Sequence, residues 1–177
     1  MAVRRLVPAD APAYRSLMLE AYAMHPDAFT SSVAERAGLP LSWWEARLDQ
    51  RTDAGSVVFG AFDQGVLAGA AGLKFETRDK ALHKAQLFGM VVRPAWRARG
   101  LGAALVAAVL ARAREREGVR LVQLTVTEGN ATAQRLYRRF GFVPFGLEPL
   151  AVAVGEQHVA KLHMWCDLSA PGRQAKR

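Results

Sequence analysis

The chain has 177 residues, 51% of them hydrophobic and 23% charged, with 24 Lys and Arg against 16 Asp and Glu for a net charge of +8. That length suits one domain with a substantial core, and that composition excludes a disordered, collagenous or fibrous chain. The basic balance, with a pI near 10.4, raises nucleic acid as a partner until the charge is placed along the chain.

Val3 to Val7 has strand propensity. Pro8-Ala9-Asp10 then opens an amphipathic pattern (Tyr14, Leu17, Met18, Ala21, Tyr22) that predicts a helix ending before His25-Pro26. Within the polar stretch from Pro26 to Pro40 a short helix is predicted over Val33 to Ala37. Another begins at Leu41-Ser42, with Ser42 as N-cap three residues before Glu45. Thr52-Asp53-Ala54-Gly55 reads as a turn. Val57 to Phe62, Val66 to Phe75 and Lys84 to Val92 follow as three strands of an antiparallel meander, with Asp63-Gln64-Gly65 as a hairpin turn.

From Pro94 the period changes. Gly100 to Glu117 is helical and is stopped by Gly118; Val119 to Val126 alternates as a buried strand; Asn130 to Phe140 is a second helix, with Asn130 as N-cap and Gly141 after it. Phe142 to Phe145 and His158 to Leu168 close the pattern as strands. A meander followed by strand, helix, strand, helix, strand implies an α/β, mixed sheet with helices on its faces. Residues 1–168 read as a single domain, and 169–177 as a disordered basic tail.

The single cysteine, Cys166, excludes an intramolecular disulfide and any multi-cysteine metal site, and fits a reducing, cytoplasmic compartment. Pro8, Asp10, Pro12 and Arg15 break up the start of the chain, which lacks the apolar core of a signal peptide. The longest apolar run, Leu101 to Ala111, falls short of the ~20 residues that span a bilayer. No membrane and no metal are called for.

The charge is concentrated. Arg93 to Arg139 holds ten basic residues against three acidic ones, and the rest of the chain is almost neutral. Within that segment Val92-Arg93-Pro94-Ala95-Trp96-Arg97-Ala98-Arg99-Gly100-Leu101-Gly102 leads from a strand straight into a helix. Glycines let the backbone approach a bound group, and the first-turn N–H groups have no intrahelical partners. Together with the helix dipole, and with the charge of Arg97 and Arg99, they make a site for phosphate oxygens. A dinucleotide fingerprint needs a small residue where Leu105 stands, and a P-loop needs Gly-Lys-Ser/Thr, so neither fits.

These residues resemble the GNAT superfamily of acyl-CoA-dependent N-acyltransferases. Its motif Gln/Arg-x-x-Gly-x-Gly/Ala appears as Arg97-Ala98-Arg99-Gly100-Leu101-Gly102, and its second motif as Asn130 to Phe142, within a likeness that covers Val57 to Leu168. The resemblance implies a mostly antiparallel sheet of about six or seven strands with helices on both faces. It implies transfer of an acetyl group from acetyl-CoA to a primary amine of a small molecule or peptide, by direct attack in a ternary complex.

Carried over residue by residue, the amides of Ala98, Arg99, Gly100, Leu101, Gly102 and Ala103, with Arg97, hold the pyrophosphate of coenzyme A. Met90, Val91 and Val92 pair with the pantetheine arm like an added strand, and the Val91 N–H polarises the thioester carbonyl. Tyr137 donates a proton to the leaving thiolate. Asn130, seven residues earlier on the same helical face, contacts the pantetheine or an ordered water.

The strand before the loop, Lys84 to Val92, lacks the glutamate that many family members carry there. Glu76, His83 and His163 stay open as bases, as does water alone. Two rivals accompany this reading: a non-catalytic acyl-CoA-binding sensor, and a nucleic-acid module, against which the alternation of Arg112, Arg114 and Arg116 with Ala113 and Glu115 reads as a solvated helix end. Tyr22 to Trp44, with Met24, His25, Phe29, Trp43 and Trp44, corresponds to the segment that covers the acceptor side in this family. The late strands are where two copies would pair as a homodimer.

Overall fold

The computed structural model describes residues 1–51 and 53–169; Thr52 of the expected turn and the expected tail beyond Ser169 lie outside them. One seven-stranded sheet runs in the order β1-β2-β3-β4-β5-β7-β6. Its strands are β1 (Ala2–Arg5), β2 (Ser56–Asp63), β3 (Val66–Phe75), β4 (Lys84–Val92), β5 (Leu121–Thr127), β6 (Val143–Val154) and β7 (Gln157–Asp167). β4 and β5 pair in parallel, and the other neighbours are antiparallel. Gln64 (φ 48°) and Gly65 (φ 80°) both take the left-handed conformation that a two-residue hairpin matching the strand twist demands.

Among the described residues five helices cover the sheet: α1 (Ala11–Met24), α2 (Val33–Ala37), α3 (Leu41–Ala46), α4 (Leu101–Glu115) and α5 (Ala131–Arg139). On one face α4 and α5 close a core with Leu73, Leu87, Val122, Leu124 and Phe142. On the other, α1 and α3 bury Leu17, Met18 and Trp44 against Val58, Leu67 and Val91. Burial of Leu101, Leu105, Val106, Val109 and Leu110 makes α4 the central core helix, worth at most on the order of 10 kcal/mol of apolar transfer free energy. No described helix is long and apolar enough to cross a membrane.

Two local expectations are corrected. Pro40 precedes α3 as its N-cap without a side-chain hydrogen bond, so Ser42 lies inside the helix. β6 runs from Val143 to Val154 rather than stopping at Phe145. It is the outer strand of the sheet, its ladder shifts register between Pro144 and Gly146 and between Glu148 and Val152, and prolines are tolerated at such edges and bulges.

The entry to α1 is pinned by charge. Arg4 forks onto Asp10, with Nη1 to Oδ2 at 2.7 Å and Nη2 to Oδ1 at 2.8 Å, and the Val7 N–H also donates to Oδ2 at 2.8 Å. The Arg4 hydrogen bonds hold the Asp10 carboxyl below its ordinary range. The unfolded chain therefore binds the proton first, and the stabilisation is present above the ordinary carboxylate pKa and lost as pH falls through the folded value. Asp10→Asn is expected to lower the melting temperature at pH 7, and the gap to the parent closes toward pH 3 in thermal melts.

Candidate active site

After β4 the chain makes one 3-10 turn, Pro94–Trp96, and reaches α4 through Ala98 at φ 60° and Gly100 at φ 82°. A left-handed alanine is strained by its Cβ, and such strain gathers at ligand clamps. Gly100 is the N-cap of α4, and no side chain caps its first turn. The leading N–H groups therefore point into solvent at the positive end of the helix dipole, the chemistry that binds phosphate oxygens. The two glycines serve different ends. A Cβ on Gly100 would meet no protein atom, whereas one on Gly102 would lie 3.3 Å from both Leu136 Cδ2 and Met90 Cε, so Gly102 is fixed by packing against α5 and β4.

The arginines divide as well. Arg97 Nε donates to the Val92 carbonyl at 3.0 Å, and its Nη2 lies 2.8 Å from His25 Nε2. Arg99 turns toward Asp63 at 3.6 Å, and Arg93 is clamped to Glu20 at 2.8 Å and to the Leu67 carbonyl at 2.9 Å. Arg112 and Arg116 stack on Phe75 at the other end of α4, about 22 Å along a 15-residue helix. The surplus that is continuous in sequence is thus split in space, and only part of it stands by the loop.

β4 carries the second feature. Its parallel ladder with β5 ends at Gln86 opposite Gln123, so from Leu87 to Val92 the two strands part. Toward β3 the register shifts between Ala70 and Gly72, where Gly89 at φ 60° and Met90 together oppose Ala71 as a bulge. This register bears on which amide of β4 is free. A Cβ on Gly69 would lie 2.7 Å from the Val91 carbonyl oxygen, so that carbonyl turns toward β3. In an extended residue the N–H turns with it. Val92 points the opposite way, as its carbonyl's bond to Arg97 requires. The amide that alternation turns into the gap is that of Val92, and Met90 beside it, in the bulge, has no register partner on β3.

α5 reaches the gap from the other side. Asn130 Oδ1 accepts from the Ala133 N–H at 3.1 Å, which makes it the helix cap. The Tyr137 ring is buried, only 5% exposed, and meets Phe142 edge to face at 5.8 Å. Burial pushes the Tyr137 hydroxyl well above its ordinary pKa, so it is protonated at neutral pH and suited to donating a proton.

The open bases separate cleanly. Glu76 hydrogen bonds through its backbone to Lys84, and His83 accepts from Arg120 and Leu121, so both sit at the start of β4. The bulge lies five or more residues further on, roughly 16 Å at 3.3 Å per residue. His163 lies opposite Thr125, two residues beyond the end of the β4–β5 ladder.

One part of the site escapes sequence reading. Lys161 is 5% exposed and donates to the carbonyls of Asp27 (2.8 Å) and Ala28 (2.9 Å) and to Thr127 Oγ1 (2.9 Å). Thr127 Oγ1 donates in turn to the Asp27 carbonyl at 2.9 Å. With His25 against Arg97, residues 25–28 of the loop between α1 and α2 are tied to the turn after β4 on one side and to β5 and β7 on the other, a strap across the mouth of the gap. The signal available in sequence is a lysine inside the run Val159 to Cys166, which is apolar apart from it and His163.

Comparison with known proteins accounts for this arrangement. Residues 15–142 match the family model described as the Acetyltransferase (GNAT) family. The chain belongs to the GNAT acetyltransferase family. A mycothiol acetyltransferase of Salinispora tropica is 32% identical over 135 residues, 76% of this chain. The chain spans only 41% of that relative's length. Among solved structures, a GNAT-family acetyltransferase from Streptococcus pneumoniae superposes with a TM-score of 0.83 at 23% identity, covering 94% of this chain and 98% of its own. A putative acetyltransferase from Salmonella typhimurium, solved with its cofactor acetyl-CoA, gives 0.77 at 22% identity, covering 97% and 95%. At those identities the structures bear on the GNAT fold alone.

Proposed function

We propose that this GNAT domain, residues 1–168 of a cytoplasmic protein, transfers an acetyl group from acetyl-CoA to a primary amine in a ternary complex. The observation that carries the reading is the continuity of one open edge. The outward backbone of Met90 and Val92 leads through the Arg97–Gly100 turn into the uncapped start of α4. A pantetheine arm would extend the sheet along that edge, and the amides of residues 98 to 103 would receive the pyrophosphate.

The thioester supplies an acyl carbon activated toward amines. The Met90 N–H, in place of that of Val91, polarises its carbonyl, and Tyr137 returns a proton to the sulfur that leaves. Asn130 orders the start of α5 and, by the family resemblance, lies beside the arm. The strap and the aromatic segment from Tyr22 to Trp44 face the acceptor.

A panel of amino acids, peptides, polyamines and small primary amines, incubated with acetyl-CoA while free thiol is followed, tests the reading. It requires thiol release that depends on at least one amine; acetyl-CoA binding with no release for any amine would make the domain a sensor. Gly100→Ala is expected to cost about 1–2 kcal/mol of stability from the left-handed φ and to weaken acetyl-CoA about tenfold, read by calorimetric titration, because the new Cβ stands where the anion would sit. Raising salt from low to high ionic strength is expected to weaken acetyl-CoA binding further, and a salt-insensitive affinity would count against phosphate recognition at the loop.

A further inference from the structure

The proposed reaction leaves a proton to be removed from the attacking amine, and β4 carries no carboxylate to take it. We propose that His163, held by Glu148, accepts that proton through a water molecule, an inference that rests on the acetyltransferase reading above. His163 is opposite Thr125 in the β5–β7 ladder, and Thr125 is two residues past the last β4–β5 pair, at the level of Phe88 next to the bulge. The imidazole therefore stands one strand away from the gap in which the thioester would lie.

It also stands on the acceptor side. Lys161 and Thr127 lie two residues along their strands from His163 and Thr125, on the same face, and both bind the α1–α2 strap there. Leu162 and Met164, on the alternate positions, belong to the core under α4 and α5. His163 Nε2 is 2.8 Å from Glu148 Oε2, and Phe145 meets the ring edge to face at 5.8 Å. A carboxylate at that nitrogen fixes the tautomer with the proton on Nε2 and leaves the lone pair of Nδ1 as the basic site.

The charged groups facing His163 are few. β6 brings Glu148, β7 brings Lys161, and the strap brings Asp27. Gln86 and Phe88 on β4 and Gln123 and Thr125 on β5 carry no charge. Lys161 is turned to the strap carbonyls and Thr127, so Glu148 is the group in direct contact with the imidazole.

The amine nitrogen forms a bond to the acetyl carbon and the carbon–sulfur bond breaks with its pair on sulfur. The amine proton passes through water to Nδ1, Tyr137 gives its proton to the thiolate, and solvent returns the proton from His163 to Tyr137.

Take the amine turned over fastest in the panel and follow kcat at saturating amine and acetyl-CoA from about pH 5.5 to 9, alongside acetyl-CoA affinity. The parent is expected to lose rate on the acid side with the slope of one group. His163→Gln should lower kcat about 100-fold and flatten that limb. Glu148→Gln should keep the limb and lower kcat about tenfold, because the ring has lost the carboxylate that orients it. Acetyl-CoA affinity should be unchanged in both, which a collapsed site would not allow. A His163→Gln variant that keeps the limb and a rate within twofold overturns the assignment while leaving the acetyltransferase reading intact. A parent that neither binds nor turns over acetyl-CoA removes that reading, and this inference with it.

Discussion

Tyr137→Phe is expected to slow acetyl transfer about 100- to 1,000-fold while acetyl-CoA affinity stays within about twofold. The substitution keeps the ring, its edge contact with Phe142 and its place in the core, so folding and the shape of the cleft should survive. Only the hydroxyl is lost, and burial keeps that hydroxyl protonated across the working pH range. An interaction made with the departing sulfur alone appears in kcat and not in the binding of the intact thioester. Steady-state kinetics beside calorimetric titration separates the two, and an unchanged kcat would remove Tyr137 from the reaction.

The second large effect concerns Lys161, which no reaction step uses. Lys161→Met preserves most of the volume and removes the ammonium that satisfies two strap carbonyls and Thr127 Oγ1. Stranding those buried acceptors should cost about 2–3 kcal/mol, a fall in melting temperature of about 5–10 °C. The same change frees the strap, so KM for the acceptor should rise more than kcat falls. Burial also lowers the lysine's own pKa. The unfolded chain then binds the proton more tightly, and the parent should gain stability as pH rises through the window just below the ordinary lysine value. That alkaline gain should vanish in Lys161→Met. A variant with parental melting temperature and acceptor KM would show that the latch does not hold the strap.

What the sequence made legible is what is local in it. The bounds of β4, the start of β3 and the bounds of α2 follow in turn from alternation, from the Gln64-Gly65 turn and from the reciprocal Ser32–Glu35 cap, each decided within a few residues. The phosphate loop was readable for the same reason, since its strand end, turn and helix start are consecutive. Features that depend on a distant neighbour were not. The direction of the Val91 amide is set by a bulge against β3, some twenty residues earlier in the chain. Arg99 is drawn away from the loop by Asp63 on a different hairpin. The strap depends on Lys161 meeting a carbonyl 134 residues away. The basic surplus misled in the same manner: a helix carries its two ends about 22 Å apart, so one run of sequence became two patches.

Acetyl-CoA is expected to lie along the outward edge of β4 with its phosphates on the start of α4. Amide hydrogen exchange, with and without saturating acetyl-CoA, tests it most directly. Added protection is expected at Met90, Val92 and residues 98 to 103, with no change at Arg112 to Arg116 on the far end of α4. Protection confined to that far end, or none at either place, would contradict it.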